Sequence, residues 1–237
     1  MTQTPARDEI PGLFFFPEYF SASQSADLTR ETLALHARLE QAAASGESSP
    51  ARIPQPKFVR SDKHNLASEE FFVSLELPEA KQRKLRCEYF PKYGEDGHAL
   101  GYFRGNDNLP DFVAGGFLAS VQKTMETLGL IESGKDLTWK LTVNIYQNIG
   151  GQVAGFPFHV DIPANGVVTM ILNVQREALF QIAKDECVHD IQLPIGGLLV
   201  LSGESRYQWK HRVLPTPSEQ TNTGNCVERA SLVLGFQ

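Results

Sequence analysis

The chain has 237 residues, 41% hydrophobic and 21% charged, with a formal net charge of −6. This fits one globular domain, and an acidic surface gives nucleic acid no general attraction without a local basic cluster. No apolar run reaches the roughly 20 residues that span a bilayer, and Leu13 to Phe16 is too short for a secretory signal.

Cys87, Cys187 and Cys226 are an odd set at no metal-like spacing, which points to a reduced, cytoplasmic protein. Ile10-Pro11-Gly12 leads into Leu13 to Phe16, read as an edge strand. Ser21 and Gln24 then fit a capping box, in which each side chain satisfies the other's free backbone N–H. Leu28, Leu35, Leu39 and Ala42 follow at helical spacing, with Gly46 as the stop. From Glu47 to Asn108 prolines break the pattern. Tyr89-Phe90 and Tyr102-Phe103 flank the turn residues Gly94 to Gly97, a hairpin signal. Beside Arg86, Lys92 and Arg104, these aromatics either bury a small sheet or stack on a planar substrate. Pro110 suits a first helical position, and Leu118, Val121, Met125 and Leu128 make one stripe ended by Gly129 or Gly134.

From Trp139 the period changes to two. Trp139, Leu141, Val143 and Ile145 share one face, and Lys140, Thr142, Asn144 and Tyr146 the other. Further strands are expected over Val167–Val174, Leu179–Ala183, Val188–Leu193, Gly197–Ser202 and Arg229–Phe236. Leu214 to Glu228 reads as a surface loop. Helices first and short strands after predict an α+β fold with two or more supporting helices on one face of a sandwich or barrel.

The chemistry concentrates in Pro157 to Asp161. In an extended backbone His159 and Asp161 point to one side, and a third ligand is available from His211, 52 positions on (211 − 159). Two histidines and a carboxylate on one face of an ion leave the opposite face open, as in non-haem Fe(II) oxygenases. The plainer alternative is a buried His and an Asp at a strand end. On the last strand Ala230, Leu232, Leu234 and Phe236 form one face and Arg229, Ser231, Val233 and Gly235 the other. An inward Arg229 needs an anion: a protein carboxylate, or a small dicarboxylic acid gripped with help from Tyr146 and Asn144.

These features together resemble the AlkB family of Fe(II)/2-oxoglutarate-dependent dioxygenases. The residues that carry the likeness are Asn144-Ile145-Tyr146, His159-Val160-Asp161, the run Ser202-Gly203-Glu204-Ser205-Arg206 before His211, and Arg229. The opening Ile10 to Leu13 is similar too. The resemblance implies a double-stranded β-helix (jelly-roll) in a single domain, with a helical support and lid region over 10–135 and the core over 136–237. It implies Fe(II) on His159, Asp161 and His211, with 2-oxoglutarate against Asn144, Tyr146 and Arg229. With O2, the implied reaction hydroxylates a C–H or oxidatively demethylates an N-methyl group.

One departure bears on substrate. Repair members of that family carry a second inward Arg six residues after the first; here that position is Gly235, and Ser231 stands where an Asn is frequent. The segment 47–108, matching the family's nucleotide lid, holds no repair-type motif. A protein, small-molecule or RNA substrate is therefore expected ahead of duplex DNA, with no membrane association and no stable oligomer. The rival readings are an alkylation-repair demethylase, a zinc hydrolase, and a non-catalytic jelly-roll binding module. Arg206, Lys210 and Arg212 are candidates for a basic rim, although alternation through His211 turns them to the opposite face. His36, His64, His98 and His189 are expected to be dispensable for metal binding.

Overall fold

The computed structural model describes residues 9–45, 87–90, 97–161, 165–218 and 226–236. Its first part comprises β1 (Leu13–Phe16), α1 (Ala22–Ser45), β2 (Cys87–Phe90), β3 (His98–Arg104), α2 (Asp111–Ala114) and α3 (Gly116–Thr127). There follow β4 (Trp139–Ile149), β5 (Gln152–Val153), β6 (Phe156–His159), β7 (Val168–Gln175), β8 (Ala178–Lys184) and β9 (Cys187–Leu193). The chain then runs through β10 (Leu198–Ser202), α4 (Gly203–Tyr207), β11 (Lys210–Val213), β12 (Thr216–Pro217) and β13 (Val227–Phe236).

Among the described residues the major sheet runs β1-β10-β7-β13-β4-β3-β2, and the smaller one β6-β11-β8-β9. Every pairing is antiparallel. This is the jelly-roll expected, with the helices on one side. The period-two pattern decides which face goes where. Leu141, Val143 and Ile145 of β4 and Leu232 and Leu234 of β13 bury against Leu28 and Leu35 of α1 and Val121 and Met125 of α3. A second core, with Ile171, Phe180, Ile182, Leu199 and Trp209, fills the space between the sheets. Truncating one of these fully buried aliphatics would cost about 2–5 kcal/mol.

The capping box forms: Gln24 N–H donates to Ser21 Oγ at 3.3 Å, and Ser21 N–H to Gln24 Oε1 at 3.0 Å. The expected stop at Gly46 lies outside the described residues, as do most of the Gly94–Gly97 turn and much of the segment 47–108. The hairpin itself is present as β2 against β3. Three expectations need correction. Pro110 is the N-cap of α2 and not its first residue, and the helix is interrupted at Gly115, whose ψ of −138° is not helical. Glu228 belongs to no surface loop: it is buried in β13 and paired with Arg176. Thr216 and Pro217 add a short strand to β5. Local polarity misled there because the buried charge is satisfied by a residue 52 positions away.

Candidate active site

The two histidines meet because β6 and β11 are neighbours. His159 and His211 are direct cross-strand partners, with ring centroids 4.2 Å apart. His159 Nδ1 lies 2.9 Å from the Pro157 carbonyl, a contact that places the proton on Nδ1 and leaves the Nε2 lone pair available. That Nε2 is 3.6 Å from Asp161 Oδ1, and His211 Nε2 is 3.8 Å from Asp161 Oδ2. β6 ends at His159, and Asp161, two residues beyond, brings its carboxylate back beside the His159 ring.

The donor atoms of His159, Asp161 and His211 lie within 4.8 Å of one another, and all three residues are buried. Ligand bonds of about 2 Å allow one ion to bridge atoms up to roughly 4 Å apart, which the 3.6 and 3.8 Å separations from Asp161 to the two histidines satisfy. Asp161 Oδ2 is buried with no hydrogen-bond partner, a costly state for a carboxylate oxygen that no cation contacts. The electrostatics agree. Burial alone would raise the Asp161 pKa, but the neighbouring His211, His159 and Arg206 outweigh it and hold the carboxyl well below its usual range. Burial, then His159, push His211 down to about 3, so its imidazole is neutral and able to donate a lone pair. An ionised Asp161 and a neutral His211 are the protonation states a divalent ion needs of them.

A second cluster lies on the major sheet. Arg229 stands opposite Tyr146 across β13 and β4, with Cζ 3.8 Å from the Tyr146 ring centroid. Arg229 is 3% exposed, its Nε has no hydrogen-bond partner, and it forms no ion pair among the described residues. Burial pushes its pKa down, partly offset by Tyr146. The protein carboxylate that a structural role would require is not there among the described residues. Asn144, Tyr146, His159, Asp161, His211 and Arg229 all line one cavity of about 930 Å³, counting the part open to solvent.

Several contributors were not read from the sequence. His98, set aside for lack of strand context, is on β3 facing this cluster. Its ring stacks on Tyr146 at 4.6 Å and 4°, and its Nε2 is 3.0 Å from Asn144 Oδ1. Its alternation with Leu100, Tyr102 and Arg104 was the available signal. Arg206 is no basic rim. It sits on α4, is 1% exposed, and donates to the carbonyls of Asp161 at 2.7 Å and Gly166 at 3.2 Å. Alternation could not be carried from Arg206 to His211 because Gly203 to Tyr207 is helical, opened by a Ser202–Ser205 capping box. Arg212 lies over the Phe158 ring at 4.3 Å and donates to Gln181, so it is engaged locally. The stacking reading of Tyr102 meets a complication, since Arg104 already covers a face of that ring at 4.7 Å.

Comparison with known proteins gives the fold a name. A prolyl-4-hydroxylase from Pseudomonas putida superimposes with a TM-score of 0.50, over 95% of this chain and 92% of that one at 15% identity. A Trichoplax adhaerens prolyl hydroxylase, solved with a hypoxia inducible factor peptide fragment, also gives 0.50, over 95% and 83%, at 15% identity. The chain has the fold of the prolyl hydroxylases. In sequence it is 34% identical over 110 residues to the tRNA (carboxymethyluridine(34)-5-O)-methyltransferase alkbh8 of Xenopus tropicalis, covering 45% of this chain. The match spans 15% of that relative's length. No family model matches the chain. Among the described residues no helix is long and apolar enough to cross a membrane.

Proposed function

We propose that the chain is an Fe(II)- and 2-oxoglutarate-dependent dioxygenase of the AlkB type, which hydroxylates a C–H or removes an N-methyl group by oxidation. The observation that carries this is the pairing, in one cavity, of a buried guanidinium lacking a described carboxylate with a buried His-Asp-His group. Two imidazoles and one carboxylate fit a borderline divalent ion with open positions. In this reading His159, Asp161 and His211 hold the iron. Arg229 offers its planar fork to the distal carboxylate of 2-oxoglutarate, with the Tyr146 hydroxyl and Asn144 amide beside it.

Bound there, iron with 2-oxoglutarate and O2 supplies the oxidation: the keto acid leaves as succinate and CO2, and one oxygen atom enters the substrate C–H. A hydroxylated N-methyl group then falls apart to the amine and formaldehyde. The chain's own residues orient and exclude water. Asp161, anchored by Arg206, keeps a negative charge where a metal would be held, and Phe156 and Phe180 wall the histidines. A zinc hydrolase would leave Arg229, Tyr146 and Asn144 without a task.

The AlkB assignment rests on the motif likeness and on the partial identity to alkbh8. The repair reading is disfavoured by Gly235. A Cβ there would collide with the Asn165 carbonyl oxygen, so no side chain of any kind has space at that position. The test is succinate formation from 2-oxoglutarate with and without Fe(II). Iron-dependent succinate from wild type and none from His211→Ala is expected, with little formaldehyde from 1-methyladenine or 3-methylcytosine in duplex DNA. Iron-independent or absent succinate defeats the proposal, and rapid duplex demethylation restores the repair reading.

A further inference from the structure

Three side chains from three neighbouring strands stand in one row of the major sheet: His98 of β3, Tyr146 of β4 and Arg229 of β13. Tyr146 is the middle member. Its ring lies parallel to the His98 imidazole, 4° off at 4.6 Å, and has the Arg229 Cζ 3.8 Å from its centroid. Because β3 and β13 flank β4 on opposite sides, imidazole and guanidinium meet opposite faces of the phenol ring. All three residues are buried, and Phe156 meets the His98 ring edge-on at 5.0 Å. The row is a stack in which His98 backs Tyr146 and Tyr146 backs Arg229.

His98 also controls the next polar group on that face. Its Nε2 is 3.0 Å from the Oδ1 of Asn144, two residues before Tyr146 on β4. A carboxamide has one accepting end and one donating end, so the end given to His98 decides the end left over. With Oδ1 on His98, the imidazole carries its proton on Nε2, and the Asn144 NH2 is left for the cavity that Asn144 lines. That is the end a bound diacid needs, since an ionised carboxylate only accepts. The reverse pairing would spend the NH2 on His98 and present a carbonyl oxygen to an anion. His98 itself stands behind Asn144 and Tyr146, outside the residues that line the cavity.

We propose that His98 is a positioning residue for the cosubstrate. Its Nε2–H turns the Asn144 NH2 toward the bound diacid, and its ring braces Tyr146 against Arg229. This rests on the dioxygenase reading given above. Since its hydrogen bond and its parallel stack both go to the 2-oxoglutarate residues, His98 acts on that ligand and not on the metal.

The test is 2-oxoglutarate binding to the full chain loaded with Mn(II), by calorimetry, with Mn(II) affinity measured separately. His98→Phe keeps a flat ring and loses the donor, whereas His98→Gln keeps a donor and loses the stack. The affinity for 2-oxoglutarate should fall roughly five- to tenfold in His98→Phe, the worth of one buried hydrogen bond, and His98→Gln should recover part of it. Mn(II) affinity should stay at the wild-type value in both. In an Asn144→Ala background His98→Phe should add nothing, because the group it acts through is gone. Imidazole nitrogen resonances of the wild type, free of ligand, should place the His98 proton on Nε2, a readout that stands even if neither variant folds. Wild-type 2-oxoglutarate affinity in His98→Phe, the same loss in the Asn144→Ala background, or an Nε2 without its proton overturns the inference. A parallel fall in Mn(II) affinity would make His98 merely structural and overturns it too. Wild type that holds Mn(II) but no 2-oxoglutarate defeats the dioxygenase reading itself, and is told apart because it needs no variant.

Discussion

The guanidinium of Arg206 donates to the backbone carbonyls of both Asp161 and Gly166, linking α4 to the residue that the candidate metal centre needs. Removing it would leave two buried carbonyls without a donor and a charged side chain's volume empty. Arg206→Ala should therefore lower stability by roughly 2–4 kcal/mol in denaturant unfolding. Arg206→Lys should recover only part of this, since an ammonium cannot span two carbonyls as the fork does. Wild-type stability in both variants would contradict the anchoring role.

Asn165 and Gly166 pass directly against Gly235 and Phe236 of β13. A Cβ on Gly235 would strike the Asn165 carbonyl oxygen, and one on Gly166 the Phe236 carbonyl oxygen. Gly235→Ala should cost about 1–3 kcal/mol, as overpacking does where only backbone can yield. Gly235→Arg should displace the Asn165 crossing and not create an inward guanidinium beside Arg229. Thermal unfolding of Gly235→Ala coincident with wild type would contradict this.

Arg229→Ala should weaken 2-oxoglutarate binding by about 2–5 kcal/mol while leaving metal binding intact, because a dry bidentate contact is lost and the His-Asp-His group is untouched. Arg229→Lys should restore little. Equal 2-oxoglutarate affinity in wild type and Arg229→Ala, by calorimetry, would return Arg229 to a purely structural role.

Lys140 makes a pH prediction. Its folded value, about 8, lies below the ordinary 10.5, with burial as the main cause and the Arg104 charge from β3 adding to it. Between those values the unfolded chain binds more protons than the folded one, so this group's contribution to stability rises with pH across about 8 to 10.5. Lys140→Gln should remove that rise. Superimposable stability–pH curves for wild type and variant over this window would contradict the placement.

The period-two pattern revealed the two faces of β4 and β13, because each sends apolar residues to the helices and polar ones to the cavity. His159 and Asp161 were legible for the same reason. What escaped was anything depending on register or on a break in the period. His98 matters through its place opposite Tyr146, which no local pattern encodes. Arg206 was misplaced because Gly203, at φ +50°, turns the chain into a helix just where alternation was being counted. Glu228 read as loop because its partner, Arg176, is remote in sequence.

The central claim is that His159, Asp161 and His211 together hold one divalent ion. It is tested most directly by measuring bound Fe(II) or Mn(II) per chain in the purified wild type and in His159→Ala and His211→Ala. One ion per chain in the wild type, lost in both variants, is the predicted result. Stoichiometric metal retained by both variants would contradict the account.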